Sequence, residues 1–140
     1  MFLLDTNVVS ELRKARQGRA DPGVITWSGS VNAKTLYLSA ISLMELETGV
    51  LGIERKDATQ GALLRTWLNQ QVLPGFAGRV LAVDATVALA CARLHVPDRK
   101  SERDALIAAT ALVHGLTVVT RNLADFEGTG VPLINPWSQG

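Results

Sequence analysis

Four acidic residues each follow a predicted strand or stand near the start of a predicted helix, which makes them the best candidates for chemistry in this chain. They are Asp5, Glu45, Asp104 and Asp125. Asp5 directly follows the apolar stretch "FLL", and Asp125 follows the apolar stretch "LTVVT". In a parallel α/β sheet, the carboxyl ends of strands and the starts of the following helices share one edge. The pattern therefore predicts that these carboxylates lie together.

Carboxylates gathered at one edge repel one another, which raises their pKa values and costs stability unless a cation compensates the charge. Oxygen ligands without cysteines or a pair of histidines suit hard cations such as Mg²⁺ or Mn²⁺. Such ions activate water and stabilise the leaving oxygen when a phosphodiester is displaced. The residue types therefore indicate phosphoryl chemistry, without naming a substrate.

Each acid also has a local structural explanation. Asp5 can cap a helix that begins near Val8, because aspartate accepts hydrogen bonds from the free N–H groups of a first turn. The spacing from Ser42 to Glu45 is that of a capping box, and Ser101 stands at the same spacing before Asp104. Taken singly, the structural explanations are favoured. Taken together, the four acids favour a shared site.

Composition indicates a soluble globular protein. The chain has 140 residues, of which 47% are hydrophobic, and a net charge of +1, so we expect one domain over residues 1–140. Its one cysteine, Cys91, excludes a disulfide framework. We expect Cys91 to pack in the core and the protein to reside in the reducing cytoplasm. The apolar start is interrupted by Asp5, and the uncharged run 105–120 is too short to span a membrane.

Strand and helix patterns alternate along the chain, which predicts an α/β fold with a parallel sheet covered by helices. Strands or short extended segments are expected at 2–4, 35–40, 79–83, 116–120 and 132–134. Helices are expected at 8–14, 22–31, 42–52, 57–72, 84–94 and 101–114. Cys91, His95 and His114 fall within or just after these helices, and we interpret the histidines as structural or surface residues.

Four segments resemble, in order and spacing, those of the PIN-domain ribonucleases, in particular the VapC and FitB toxins of bacterial toxin–antitoxin pairs. They are "MFLLDTNVVSEL", "LSAISLMELETGV", "RDALIAATALVHGLTVVTRN" and "INPW". The resemblance implies a three-layer α/β domain that forms a homodimer and cleaves single-stranded RNA with Mg²⁺ or Mn²⁺. It also implies a DNA-binding antitoxin as partner, whose tail covers the acidic groove.

The resemblance also assigns roles to individual residues. Asp5 and Asp104 match the most direct metal ligands, and Glu45 matches a residue that completes the metal site or positions the attacking water. Thr6, Asn7 and Thr120 match positions that support the site. An antitoxin helix is expected on the apolar surface around Val9, Leu12 and Trp27, although core packing is the more ordinary role for Trp27.

One departure from the family pattern leaves alternatives open. Many relatives carry an aspartate two residues after the threonine, where this chain has Asn122. Asparagine forms hydrogen bonds but brings no charge. Either Asn122 holds this position, with Asp125 as a secondary contributor, or Asp125 supplies the missing carboxylate. The departure also favours a rival function, a catalytically weak PIN domain that serves as a scaffold for its antitoxin or DNA complex; retention of the other three acids opposes it.

Overall fold

The fold is built on a sheet of five parallel strands. The computed structural model describes residues 1–138, and its strands run in the spatial order β3-β2-β1-β4-β5, with each neighbouring pair parallel. They are β1 (Phe2–Leu4), β2 (Leu36–Ser39), β3 (Val80–Leu81), β4 (Thr117–Val119) and β5 (Leu133–Ile134). The predicted parallel sheet is confirmed, with the first strand of the chain at its centre.

Helices connect the strands and cover both faces of the sheet. They are α1 (Thr6–Arg13), α2 (Pro22–Ser30), α3 (Ala40–Lys56), α4 (Ala58–Trp67), α5 (Leu73–Gly75), α6 (Ala85–Leu94) and α7 (Glu102–His114). Short 3₁₀ turns lie at Lys14–Gln17, Ala33–Thr35 and Leu123–Phe126. A π-helical turn, Leu68–Val72, separates α4 from α5, so the predicted helix over 57–72 is interrupted.

The predicted capping box at the start of α3 is wrong. Helix α3 begins at Ala40, directly after β2, and the Ser39 hydroxyl accepts a hydrogen bond from the Ile41 N–H at 2.9 Å. Ser42 is therefore inside the first turn and buried, and its hydroxyl has no partner among the described residues. The first serine after the strand took the capping position, which leaves Glu45 free to face another element.

Adjacent residues of β1 serve opposite faces of the sheet, as the alternation of side chains along a strand requires. Leu4 packs with Val8 and Leu38 in one hydrophobic cluster, whereas Leu3 packs with Ile107 in another. Both leucines are fully buried. The sheet is therefore the middle layer of three, which agrees with the three-layer fold implied by the resemblance.

Two residues with alternative interpretations belong to the packed interior. The half-buried Trp27 ring meets the edge of the Phe2 ring, with centroids 5.3 Å apart and planes at 86°. Cys91 is 3% exposed and packs with Val87 and Ala105. Core packing is thus confirmed for Cys91 and for Trp27. Among residues 1–138, no helix is both long and apolar enough to cross a membrane.

The start of α2 is tied to the segment that follows β5. Asp21 caps α2 through the N–H groups of Gly23 and Val24, and its carboxylate also accepts bonds from the Ser138 N–H at 2.8 Å and the Ser138 hydroxyl at 2.6 Å. The two segments approach so closely that a Cβ on Gly23 would lie 2.5 Å from the Pro136 carbonyl oxygen and 2.5 Å from the Ser138 nitrogen.

Gly23→Ala is expected to destabilise the protein by about 1–3 kcal/mol, because the added methyl group overlaps backbone atoms that cannot rotate away. Gly29→Ala in the same helix is the matched control, since a Cβ there meets nothing within 4 Å. The control should be neutral or gain up to about 1 kcal/mol from helix propensity. Urea unfolding measures both variants, and equal free energies of unfolding would contradict the close approach.

Candidate active site

An acidic pocket opens at the carboxyl edge of the sheet and has a cavity volume of about 340 Å³. Every predicted catalytic residue lines it, together with three neighbours from α1. The lining residues are Asp5, Thr6, Asn7, Ser10, Glu45, Asp104, Asn122 and Asp125. The pocket therefore joins residues from four separate parts of the chain, as the pattern of acidic residues predicts.

The order of the strands explains why these residues meet. Asp5 follows β1, Glu45 comes from the helix that follows β2, and Asn122 and Asp125 come from the segment after β4. Because β2 and β4 flank β1 and all three run parallel, their carboxyl ends share one edge. Asp104 arrives differently, from the first turn of α7.

Asp5 is both a helix cap and a wall of the pocket. It is 8% exposed. Its Oδ1 accepts the Thr6 N–H at 2.8 Å, while its Oδ2 accepts the Thr120 hydroxyl at 2.8 Å and the Asn7 amide at 3.4 Å. Burial raises the pKa of Asp5, and the bonds from Thr120 and Thr6 oppose that rise. Asp5 therefore caps α1 and at the same time presents its carboxylate to the pocket.

Thr120 supports the pocket from beneath. Its side chain is fully buried, so it does not line the cavity, but its hydroxyl donates to Asp5 and accepts the Asn122 N–H at 3.0 Å. One hydroxyl thus orients Asp5 and anchors the backbone of Asn122. On the other side, the Thr6 hydroxyl donates to Glu45 Oε1 at 2.8 Å.

The structure adds Ser10, which sequence reasoning did not place in the site, and brings Arg103, from a basic segment that could flank an acidic site, beside Glu45. Ser10 lies one turn after Thr6 on α1, and the i, i+4 spacing could have indicated its position. An Arg103 guanidinium nitrogen lies 3.4 Å from Glu45 Oε2, and its side chain is 53% exposed against 26% for Glu45. Such an exposed pair contributes little to stability. The pair instead places the positive charge of the Arg103 guanidinium beside Glu45.

Burial, rather than mutual repulsion, is the main cause of the raised pKa values of Asp5 and Asp104. Burial raises the pKa of Asp104 most, and the charges of Asp125, Asp5 and Glu45 raise it further, while a Ser101 hydrogen bond lowers it. For Asp5, the charges of Glu45 and Asp125 also rank after burial. The direction of the pKa shifts was predicted from the sequence, but repulsion between carboxylates, the predicted cause, is smaller than the effect of burial.

The donor set of the acidic pocket fits a hard divalent cation. The charged donors are all carboxylate oxygens, and two of them carry raised pKa values that a cation would offset. Among residues 1–138, no three acidic oxygens of this pocket lie within 4.8 Å of one another. Mg²⁺ usually keeps several of its waters and takes one or two carboxylates directly, so it does not need three converging oxygens.

Asn122 and Asp125 both line the pocket, so the structure leaves both alternatives for the fourth position in place. Asp125 acts on its neighbours electrostatically, since its charge helps to raise the pKa values of Asp5 and Asp104. Asn122 adds amide hydrogen-bonding groups without charge.

A second cluster, Cys91, His95 and Glu102, lies between α6 and α7 and shares no residue with the acidic pocket. His95 Nε2 lies 3.8 Å from the Cys91 sulfur and 3.7 Å from a Glu102 oxygen. The Lys100 N–H donates to His95 Nδ1 at 3.0 Å, which places the proton of the neutral ring on Nε2. In that tautomer Nε2 faces Cys91 and Glu102 as a donor, and the three side chains link α6 to the start of α7.

The comparison with protein families decides the family. A model described as "PIN domain" matches residues 2–130. The chain belongs to the PIN-domain family. The matched residues include every residue that lines the acidic pocket.

Related proteins match over nearly their whole lengths. "VapC ribonuclease Y4jK" of Sinorhizobium fredii is 39% identical over 98% of both chains, and "Toxin FitB" of Neisseria gonorrhoeae is 37% identical over 98% of this chain and 99% of its own. Among solved structures, FitAcB from N. gonorrhoeae has a TM-score of 0.89 at 36% identity, covering 99% of this chain and 100% of that one. The structure of FitAB bound to the IR36 DNA fragment has a TM-score of 0.88 at 34% identity, covering 100% and 98%.

Asp104→Asn is expected to raise the melting temperature in chelator by about 2–5 °C near neutral pH, because the variant removes a half-buried charge that its neighbours repel. The pKa of Asp104 is raised in the folded state, so its ionisation costs stability as pH rises above the ordinary value of 3.8. The difference between variant and wild type should therefore be smallest near pH 4 and grow toward about pH 7.

Melting curves at several pH values, with and without Mn²⁺, measure this effect. Mn²⁺ should raise the melting temperature of the wild type more than that of the variant, by ligand linkage. A variant that melts below the wild type in chelator at neutral pH would show that Asp104 is not in electrostatic conflict with its neighbours.

Proposed function

We propose that this chain is one PIN domain over residues 1–140 that acts as a Mg²⁺- or Mn²⁺-dependent endoribonuclease, the toxin of a type II toxin–antitoxin system. The observation that carries the proposal is the meeting of Asp5, Glu45 and Asp104 in one pocket. The names of the relatives, a VapC ribonuclease and the toxin FitB, support it. An RNA substrate places its action in the cytoplasm.

Asp5 and Asp104 are the proposed direct ligands of the cation, and Glu45 completes the site directly or through water. A divalent ion held there supplies Lewis-acid stabilisation of the leaving oxygen and lowers the pKa of an attacking water. Asp5 is already oriented for this role, because Thr6 and Thr120 hold its two oxygens. Binding of the cation therefore costs little conformational entropy at the Asp5 side chain.

Glu45 is the proposed group that orients the attacking water and accepts its proton. The Thr6 hydroxyl holds Oε1 at 2.8 Å, which leaves Oε2, 3.4 Å from an Arg103 guanidinium nitrogen, as the oxygen proposed to face the water. Arg103 faces the same oxygen and carries a guanidinium that matches the oxygens of a phosphate. We therefore assign Arg103 to the RNA backbone beside the reacting phosphodiester.

The proposed substrate is single-stranded RNA or an exposed RNA loop. The acidic pocket lies at the surface, and proteins read RNA sequence mainly at unstacked bases rather than in helices. Unpaired strands also bend readily enough to bring one phosphate to a recessed cation.

A DNA-binding antitoxin is the proposed protein partner, in line with the similarity to FitAB bound to DNA. Its helix is assigned to an apolar groove beside α1 that is lined in part by Val9, Leu12, Trp67 and Phe76. This corrects the expected surface, because Trp27 packs against Phe2 and does not line the groove. A homodimer is also proposed, and exposed apolar residues such as Leu89 and Leu112 on α6 and α7 offer surface for it.

The second candidate function is a scaffold with weak catalysis. Asn122 favours it, since a missing carboxylate would weaken binding of a second metal ion. The proposed nuclease and the scaffold differ in whether purified protein cleaves RNA.

Asp5→Asn is expected to reduce cleavage of labelled single-stranded RNA by about 100-fold or more, because it removes a charge that holds the cation. Asp98→Asn, at an exposed residue outside the pocket, should cleave like the wild type. Initial rates in Mg²⁺ and Mn²⁺, with a chelator control, measure this. No cleavage by the wild type with either metal would reject the nuclease and support the scaffold.

Asp125→Ala is expected to weaken the activation of cleavage by Mn²⁺, raising the half-activating concentration by about three- to tenfold, because it removes one of the charges that attract the ion. Glu127→Ala, two residues later and outside the pocket, is the control. Mn²⁺ titrations of both variants decide whether Asp125 supplies the fourth position of the site. Unchanged activation in Asp125→Ala would assign the fourth position to Asn122.

A further inference from the structure

A second cavity, here called the side pocket, adjoins the acidic pocket between α1, α3 and α4. Its volume is about 340 Å³, within the range of sites that take small molecules. Thr6, Ser10 and Glu45 line both cavities, so the side pocket begins where the acidic pocket ends. Any chain bound across the acidic pocket therefore has a neighbouring recess beside it.

The walls of the side pocket combine the groups that bind a heterocyclic base. The half-buried Trp67 ring is its one aromatic lining group, and residues such as Leu46 and Ile53 line it with aliphatic side chains. Hydroxyl groups of Thr6 and Ser10 stand at the edge shared with the acidic pocket. Aromatic and apolar walls with a few polar groups at the rim suit a base, which has an apolar face and a polar edge.

A cation stands beside the aromatic wall. The Arg13 guanidinium carbon lies 5.9 Å from the centre of the Trp67 ring, and Arg13 also lines the side pocket. Within residues 1–138, Arg13 forms no ion pair with a carboxylate. Its charge is therefore available to a phosphate, and it opposes the occupation of this recess by a cationic side chain.

Gly49 keeps the side pocket open. It stands in the interior of α3 and lines the cavity, although glycine is among the poorest helix formers. A Cβ at this position would meet nothing within 4 Å, so packing does not require a glycine here. A larger side chain at this position would instead project into the space beside Trp67.

We propose that the side pocket binds the base of the nucleotide next to the scissile phosphodiester, stacked near Trp67, with Arg13 facing its phosphate. The proposal rests on the proposed ribonuclease function and deepens it by naming a nucleotide subsite. A preference for particular bases would then arise from the rim formed by Thr6, Ser10 and Glu45. Filling the recess should weaken substrate binding more than it slows the chemical step.

The test compares Gly49→Leu with Gly52→Leu. Both glycines lie in α3, and a Cβ at either one meets nothing within 4 Å, but Gly52 does not line the side pocket. With a short single-stranded RNA, Gly49→Leu is expected to raise KM by about tenfold while kcat changes little, because base stacking carries about that much affinity. Gly52→Leu should keep both constants. Equal constants for the two variants would overturn the proposal.

A binding measurement separates this proposal from the nuclease assignment. Adenosine and uridine 5′-monophosphate are titrated into the protein with Mg²⁺ while tryptophan fluorescence is recorded, with ribose 5-phosphate as the control that lacks a base. Quenching by the nucleotides alone, lost in Gly49→Leu and in Trp67→Phe but kept in Gly52→Leu, supports the subsite even if no RNA is cleaved. Quenching that ribose 5-phosphate reproduces, or that Gly49→Leu retains, overturns it and leaves the recess to an antitoxin side chain.

Discussion

The hydrogen bond from the Thr120 hydroxyl to Asp5 is the interaction on which the acidic pocket depends. It joins the carboxyl ends of two neighbouring strands, β1 and β4, beneath the floor of the cavity. Through it, the orientation of Asp5 is coupled to the backbone position of Asn122. Because Thr120 is fully buried, water does not compete for this bond. The Asp5 carboxylate, held at both oxygens by Thr6 and Thr120, is therefore oriented before any cation binds.

The same burial sets a conflict between stability and function. Asp5 and Asp104 both have raised pKa values, chiefly because burial disfavours their charged forms. Elsewhere on the molecule the carboxylates are stabilised, as where Arg65 lowers the pKa values of Glu47 and Glu54 at the junction of α3 and α4. Among the described residues, the two carboxylates with raised pKa values line the pocket, whereas the Arg65 pairs are partly exposed and contribute little to stability. Such a division is expected where a site needs groups that the fold alone would reject.

Much of this arrangement could be predicted from sequence, because strand order and residue spacing act over short, regular distances. Asp5 and Asn122 both line the acidic pocket, which follows from the position of each just after a buried strand. The capping box at Ser42 failed because Ser39, the last residue of β2, was already available to cap α3. Ser10 was missed because its position depends on how α1 faces the pocket, and the contact of Arg103 with Glu45 joins two helices whose packing the sequence does not show. The side pocket likewise requires knowing how α1, α3 and α4 pack.

The position of β1 at the centre of the sheet has a consequence for synthesis of the protein. Strand β1 is made before β4 and must wait for it, because the Thr120–Asp5 contact spans 115 positions of the chain. Contacts of such long range form late, after most of the domain has collapsed. A chain still emerging from the ribosome therefore lacks the floor of the cavity until Thr120 is available. A protein proposed to cut RNA thus completes the floor of its pocket only after β4 has been made.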